Sequence, residues 1–209
     1  MRKGLRTYLI VSWSVVVSAI AIAQDAPKPR VSNDPMTAEQ IAIYRAVLEN
    51  YLKGSERGLN LAKQTEPLER SGPFWDEHCT KSIALEPAPP ARALVHTLDP
   101  AVAPSDKVVL VDPDAQTQTV KENDPQKLVK RAIEDGEKVT DEQIGDAVKT
   151  AVKTGLFTLS EIVFDAWHRN AVVSYSFYCG ELCGHGNLVI LKKVGAKWKI
   201  KKQCGGWVS

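Results

Sequence analysis

The chain has 209 residues, with 27 basic and 25 acidic side chains and a formal charge of +2. That length suits one domain with a real core. The near-balanced charge lacks the net positive field that a nucleic-acid surface needs, so no nucleic-acid partner is expected.

Arg2, Lys3 and Arg6 precede an apolar run from Tyr8 to Ala23 that ends in Ala21-Ile22-Ala23. A basic n-region, a short apolar stretch and a small-x-small end predict a secretory signal peptide over 1–23, cleaved before Gln24. The alternative is a retained anchor, but its sixteen residues fall short of the roughly 20 that a span requires. No stable membrane span is expected after cleavage, and the address is periplasmic or secreted. Losing Arg2, Lys3 and Arg6 also brings the mature chain close to neutrality. A local basic cluster remains at Lys192, Lys193, Lys197, Lys199, Lys201 and Lys202.

Residues 24–35 hold three prolines and few apolar side chains, which predicts a flexible tether ahead of a single domain over 36–209. Thr37-Ala-Glu-Gln40 is a capping box, and Ile41, Tyr44, Val47, Leu48, Tyr51 and Leu52 follow at helical spacing up to Gly54. Gly58 to Thr65 reads as a short strand. The segment 66–104 carries seven prolines and is expected to hold little regular structure, apart from a short helix near Phe74, Trp75, His78 and Cys79 and an element over Arg92–Leu98. Lys107–Val111 reads as a strand ending in an Asp112-Pro113 turn.

Asp124 and Pro125 open a helix that Gly136 stops. Thr140-Asp-Glu-Gln143 is a second capping box, for a helix ending near Gly155. Four strand-like runs follow: Phe157–Phe164, Asn170–Cys179, Asn187–Val194 and Lys197–Gln203. In the second, Val173, Tyr175, Phe177 and Cys179 form a core face, while Val172, Ser174, Ser176 and Tyr178 form a mixed one. The expected fold class is α+β, with a C-terminal antiparallel meander packed against helices on one face.

Chemistry is concentrated in Cys179-Gly-Glu-Leu-Cys183-Gly-His185-Gly186. Four cysteines in an exported chain read first as two disulfides, which allow three connectivities. Cys179–Cys183 with Cys79–Cys204 is preferred, because the glycines let a loop between strands close on itself. Cys179, Cys183 and His185 are the alternative zinc ligands, with Cys204, His78 or Cys79 as an unselected fourth. A redox site is the third reading, though the Cys-x-x-x-Cys spacing falls on a hairpin and not on a helix N-terminus.

His185, between two glycines, is expected to be exposed. His96 and His168 have no evident acidic or nucleophilic partner, and no nucleophile elbow, zincin pair, calcium loop or phosphate loop is present. No cofactor is implied, and no catalytic residue is assigned.

The run from Leu159 to Phe164, then Asn170–Tyr175, the Cys-Gly-x-Leu-Cys-Gly-x-Gly motif, Lys193, Trp198 and the terminal Trp207-Val208-Ser209 resemble one group. It consists of uncharacterised exported bacterial proteins that end in this order of motifs. The resemblance covers about the last fifty residues, and more loosely Ile41–Leu52 and the strand ending at Thr65. It implies a bacterial source and a domain type, and transfers no activity. The functional expectation is a non-enzymatic exported domain that binds a partner protein or envelope component through its sheet and Gly-rich loop. The alternatives are a metal-binding or thiol-active protein using Cys179, Cys183 and His185, and a hydrolase with dispersed catalytic residues.

Overall fold

The computed structural model describes residues 29–70, 75–86 and 94–209. The expected signal peptide, the first part of the tether, Phe74 and Arg92 lie outside the described residues. Within the segment read as a tether, β1 (Arg30–Ser32) pairs in parallel with β3 (Leu94–His96).

Helix α1 (Ala38–Tyr51) begins at the first capping box: Thr37 Oγ1 accepts from the Gln40 amide at 3.2 Å, and the Gln40 side chain accepts from the Thr37 N–H at 2.8 Å. β2 (Leu59–Ala62) follows, and then the short helix α2 (Glu77–Thr80), capped by Asp76. A 3-10 turn at Pro100–Val102 leads into β4 (Val108–Val111).

The Asp112-Pro113 step, read as a turn, starts a further helix, α3 (Pro113–Glu122). Asp112 Oδ1 accepts from the Asp114 and Ala115 amides, and Pro113 sits where a helix needs no N–H. α4 (Pro125–Asp135) ends at Gly136 in a left-handed conformation. α5 (Asp141–Thr154) starts at the second capping box.

The Phe157–Phe164 run divides into β5 (Leu156–Leu159) and β6 (Val163–Phe164). The division falls at Ser160, whose Oγ accepts from the Ser174 amide at 2.8 Å. The last three strands are longer than their apolar patterns: β7 (Asn170–Gly180), β8 (Cys183–Val194) and β9 (Lys197–Val208).

The fold is α+β. The main sheet runs β4-β2-β5-β7-β8-β9, with β6 alongside β7. β7, β8 and β9 form the antiparallel meander and β5 pairs antiparallel to β7, while β2 is parallel to both β4 and β5. Helices cover both faces instead of one. On the first face Ile43, Tyr44, Val47 and Leu48 of α1 pack on Leu61, Phe157, Leu159, Val173, Tyr175, Val189 and Leu191. On the second, Val120 of α3 packs on Ala62 and Leu156. Further along that face, Cys79 and Ile83 cover Val172, Leu188 and Ile190.

Candidate functional site: a hydroxyl-lined pocket under Trp207

The CGELCGHG stretch is a tight hairpin and not a loop. β7 runs through Cys179 to Gly180, Glu181 and Leu182 make the turn, and Cys183 already begins β8. Gly180 has φ near 141°, a value that side chains disfavour. Its backbone lies against Asp124, whose Oδ2 accepts from the Glu181 N–H at 2.9 Å while Oδ1 caps α4 through Gln126 N at 3.0 Å. One buried carboxylate therefore ties the hairpin tip to a helix start.

Disulfides join Cys179 to Cys183 and Cys79 to Cys204. The first closes the hairpin tip; the second ties α2 to β9, 125 residues apart in sequence. Cys179, Cys183 and His185 lie on the same face of the hairpin, but with the two sulfurs bonded to each other no thiolate faces the imidazole. Asp76, Cys79 and Cys204 are also close enough to share an ion. There too the disulfide uses both sulfurs, and Asp76 Oδ1 accepts from the Cys79 amide at 3.0 Å.

His185 is half-buried, contrary to the exposure expected of it. Its ring stacks on Tyr51 at 5.8 Å and lies 5.5 Å from Phe177, and its Nε2 is 3.2 Å from the Tyr51 hydroxyl. Burial lowers the His185 pKa and pushes the Tyr51 hydroxyl up to about 12. Both shifts favour the neutral forms of the hydroxyl and the imidazole, which share one hydrogen bond. The alternation in β8 aims His185 at α1, and sequence spacing alone held no trace of the Tyr51 partner.

His96 and His168 also have acidic partners that their sequence neighbourhoods did not reveal. His96 Nδ1 lies 2.9 Å from Glu161 Oε2, and His168 Nε2 lies 3.6 Å from Glu86. The Thr65 hydroxyl joins the first pair, donating to Glu161 Oε1. A hydroxyl, a carboxylate and an imidazole thus meet, but the hydroxyl donates to the carboxylate and not to the imidazole. This arrangement pins β3 to the segment between β5 and β6.

The glycines of the motif have a different task. An ideal Cβ on Gly184 would lie 2.9 Å from the Trp207 ring, and one on Gly186 would lie 2.4 Å from its Nε1. Gly186 pairs with Trp207 across the β8–β9 ladder, so two bare backbone positions let the indole lie flat on the second face of the sheet.

Beside it, two cross-strand rows carry mostly small side chains. Thr158, Ser176 and Gly186 form one row; Ser160 and Ser174 form the next, which Leu188 closes at its β8 end. Bulky residues resume on either side, under α3 and under Cys79. The missing volume is a pocket of about 310 Å³, walled by Trp207 and by the Glu66–Glu69 segment. That size lies at the lower end of the range for small-molecule sites.

The pocket floor is hydrogen-bonded and polar. Thr158 Oγ1 and Ser176 Oγ are 2.8 Å apart, and Thr158 Oγ1 donates to Glu66 Oε2 at 3.3 Å. Glu66 as a whole residue is exposed. Burial of its carboxyl nevertheless raises its pKa; the Thr158 hydrogen bond opposes this and neighbouring Glu69 adds to it. The site thus offers hydroxyls, a carboxyl biased toward its neutral form and an indole face. The alternation of β7 had marked Ser174 and Ser176 as a mixed face, but the part of Trp207 depended on the β9 register.

No helix among the described residues is long and apolar enough to cross a membrane. No family model, curated protein or solved structure matches this chain.

Proposed function

We propose that the protein is an exported bacterial binding domain, held by two disulfides, that takes a neutral polyhydroxylated ligand, a saccharide of the cell envelope, in the Trp207 pocket. The observation that carries this reading is the pairing of hydroxyl rows with an indole wall. Ser174 and Ser176 are half-buried hydroxyls on a rigid sheet, suited to sugar hydroxyls, and the buried Thr158 and Ser160 hydroxyls behind them are held by Glu66, Ser176, Glu161 and the Ser174 amide. The Trp207 face is an apolar platform for the C–H face of a sugar ring. The signal-peptide pattern and the resemblance to exported bacterial proteins support the address, and both disulfides are compatible with an oxidising compartment.

A second reading, hydrolysis of the same class of ligand, is favoured by one observation: Glu66 and Glu69 line the same pocket, and the Glu66 carboxyl is raised. Two carboxyls, one with a raised pKa, are the machinery of glycoside cleavage. Titration with β-1,4-linked N-acetylglucosamine oligomers, with the products followed by mass spectrometry, separates the two. Binding predicts saturable heat, an intact oligomer and loss of affinity in Trp207→Ala. Cleavage predicts shortened oligomers that disappear in Glu66→Gln. No heat and no cleavage across a panel of envelope glycans would overturn both.

A further inference from the structure

A second cavity, of about 550 Å³, opens on the opposite edge of the sheet between β2, β4 and the C-terminal half of α5. Its apolar surface includes Val109, Val148 and Val152, and the first two are 53 % and 42 % exposed, unusual for valines facing one another across a groove. Its rim is basic: Arg57, Lys107, Lys149 and Lys153, with no acidic side chain in the lining.

Two of these cations have carboxylate neighbours, both outside the cavity. Lys107 is 3.6 Å from Glu56, whose side chain is fully exposed, and Lys149 is 3.0 Å from Asp146. Among the described residues neither Arg57 nor Lys153 has a carboxylate within 4.0 Å. In a chain of near-zero net charge, four cations around an apolar floor are a local concentration, not an average surface.

We propose that this cavity binds a free single-chain carboxylate with an alkyl tail, a fatty-acid-like anion, with the tail on the valines and the carboxylate among the four cations. Charge complementarity selects the head: a guanidinium fork and three ammonium groups match a carboxylate and repel a cation. The floor selects the tail, because valines exposed at the mouth are covered only by an apolar group. The site is separate from the Trp207 pocket and shares no residue with it.

The test is calorimetric titration of the mature chain with decanoate, decanol and decyltrimethylammonium, each kept below its micelle concentration. Decanoate is expected to bind at one site, at least tenfold more tightly than decanol, and the cation not at all. Each two methylenes added should tighten binding by at most about fifteenfold, and raising the salt should weaken it. Lys149→Gln/Lys153→Gln, both exposed and so tolerated by the fold, should cost at least tenfold. The same change at Lys197 and Lys199, on β9, should cost nothing. Equal binding of decanoate and decanol, no effect of the Lys149/Lys153 pair, or binding to phosphatidylglycerol vesicles without binding to monomeric decanoate would each overturn the proposal.

Discussion

Gly186→Ala tests the argument that bare backbone builds the pocket. The added Cβ would lie 2.4 Å from Trp207 Nε1, 3.1 Å from Trp207 Cδ1 and 2.7 Å from the Tyr175 carbonyl oxygen. The indole can slide, but the carbonyl cannot, because Tyr175 pairs with Asn187 in the β7–β8 ladder. The two strands must part by several tenths of an ångström. Overpacking of this kind costs about 1–3 kcal/mol. Restricting the unfolded chain returns about 0.4–1 kcal/mol, so the net loss lies between about 0 and 2.6 kcal/mol, centred on about 1.3. Urea unfolding reads it as a lower midpoint at unchanged slope. The displaced indole should also weaken saccharide binding. Gly145→Ala is the control: it lies inside α5 with nothing near the new Cβ, and should gain about 0.5–1 kcal/mol. Gly186→Ala with wild-type stability and unaltered tryptophan emission would show that the bare backbone at 186 is not what seats the indole.

The other predictions concern the disulfides, two titrating groups and the N-terminus. In the chain-entropy account the long Cys79–Cys204 bridge is worth about 5 kcal/mol and the short Cys179–Cys183 bridge about 2, so Cys79→Ser/Cys204→Ser should lower the urea midpoint far more than Cys179→Ser/Cys183→Ser. The Glu66 carboxyl is raised in the fold; its stabilising contribution is therefore present below the unfolded value near 4.3 and lost as pH rises through the folded one. Glu66→Gln should accordingly be more stable than the parent at pH 7, with the gap closing below about pH 4. His185 is lowered by burial, so stability should fall as pH drops from about 6.5 toward the folded value, and His185→Gln should flatten that arm. Intact mass of protein recovered from the periplasm or medium should begin at Gln24, with no cysteine open to alkylation under denaturing conditions.

The helices with capping boxes and the period-2 runs were legible because their signals are local. Thr37 and Thr140 set helix starts within a few residues, and the Val173–Cys179 alternation assigned both faces of β7. The α3 helix was not, because Asp112-Pro113 is equally good chemistry for a turn and for a helix N-terminus, and burial of Val120 decides between them. The extents of β8 and β9 were missed for a related reason. Gly184 and Gly186 have low strand propensity, and ladder pairing with β7 holds them extended, while Gly205 takes a φ near 62° at a bulge in the β8–β9 pairing. The cysteine motif was visible, but its purpose was not: the glycines serve a tryptophan some twenty residues further on, a contact that only the β8–β9 register creates.

The most direct test of the account is an amide and indole NMR titration of the mature chain with an N-acetylglucosamine oligomer. The Trp207 indole signal and the amides of Thr158, Ser160, Ser174 and Ser176 are expected to move together and saturate, while those of α5 stay still. Saturable shifts centred elsewhere, or a Trp207 indole that does not respond while the oligomer binds, would contradict the account.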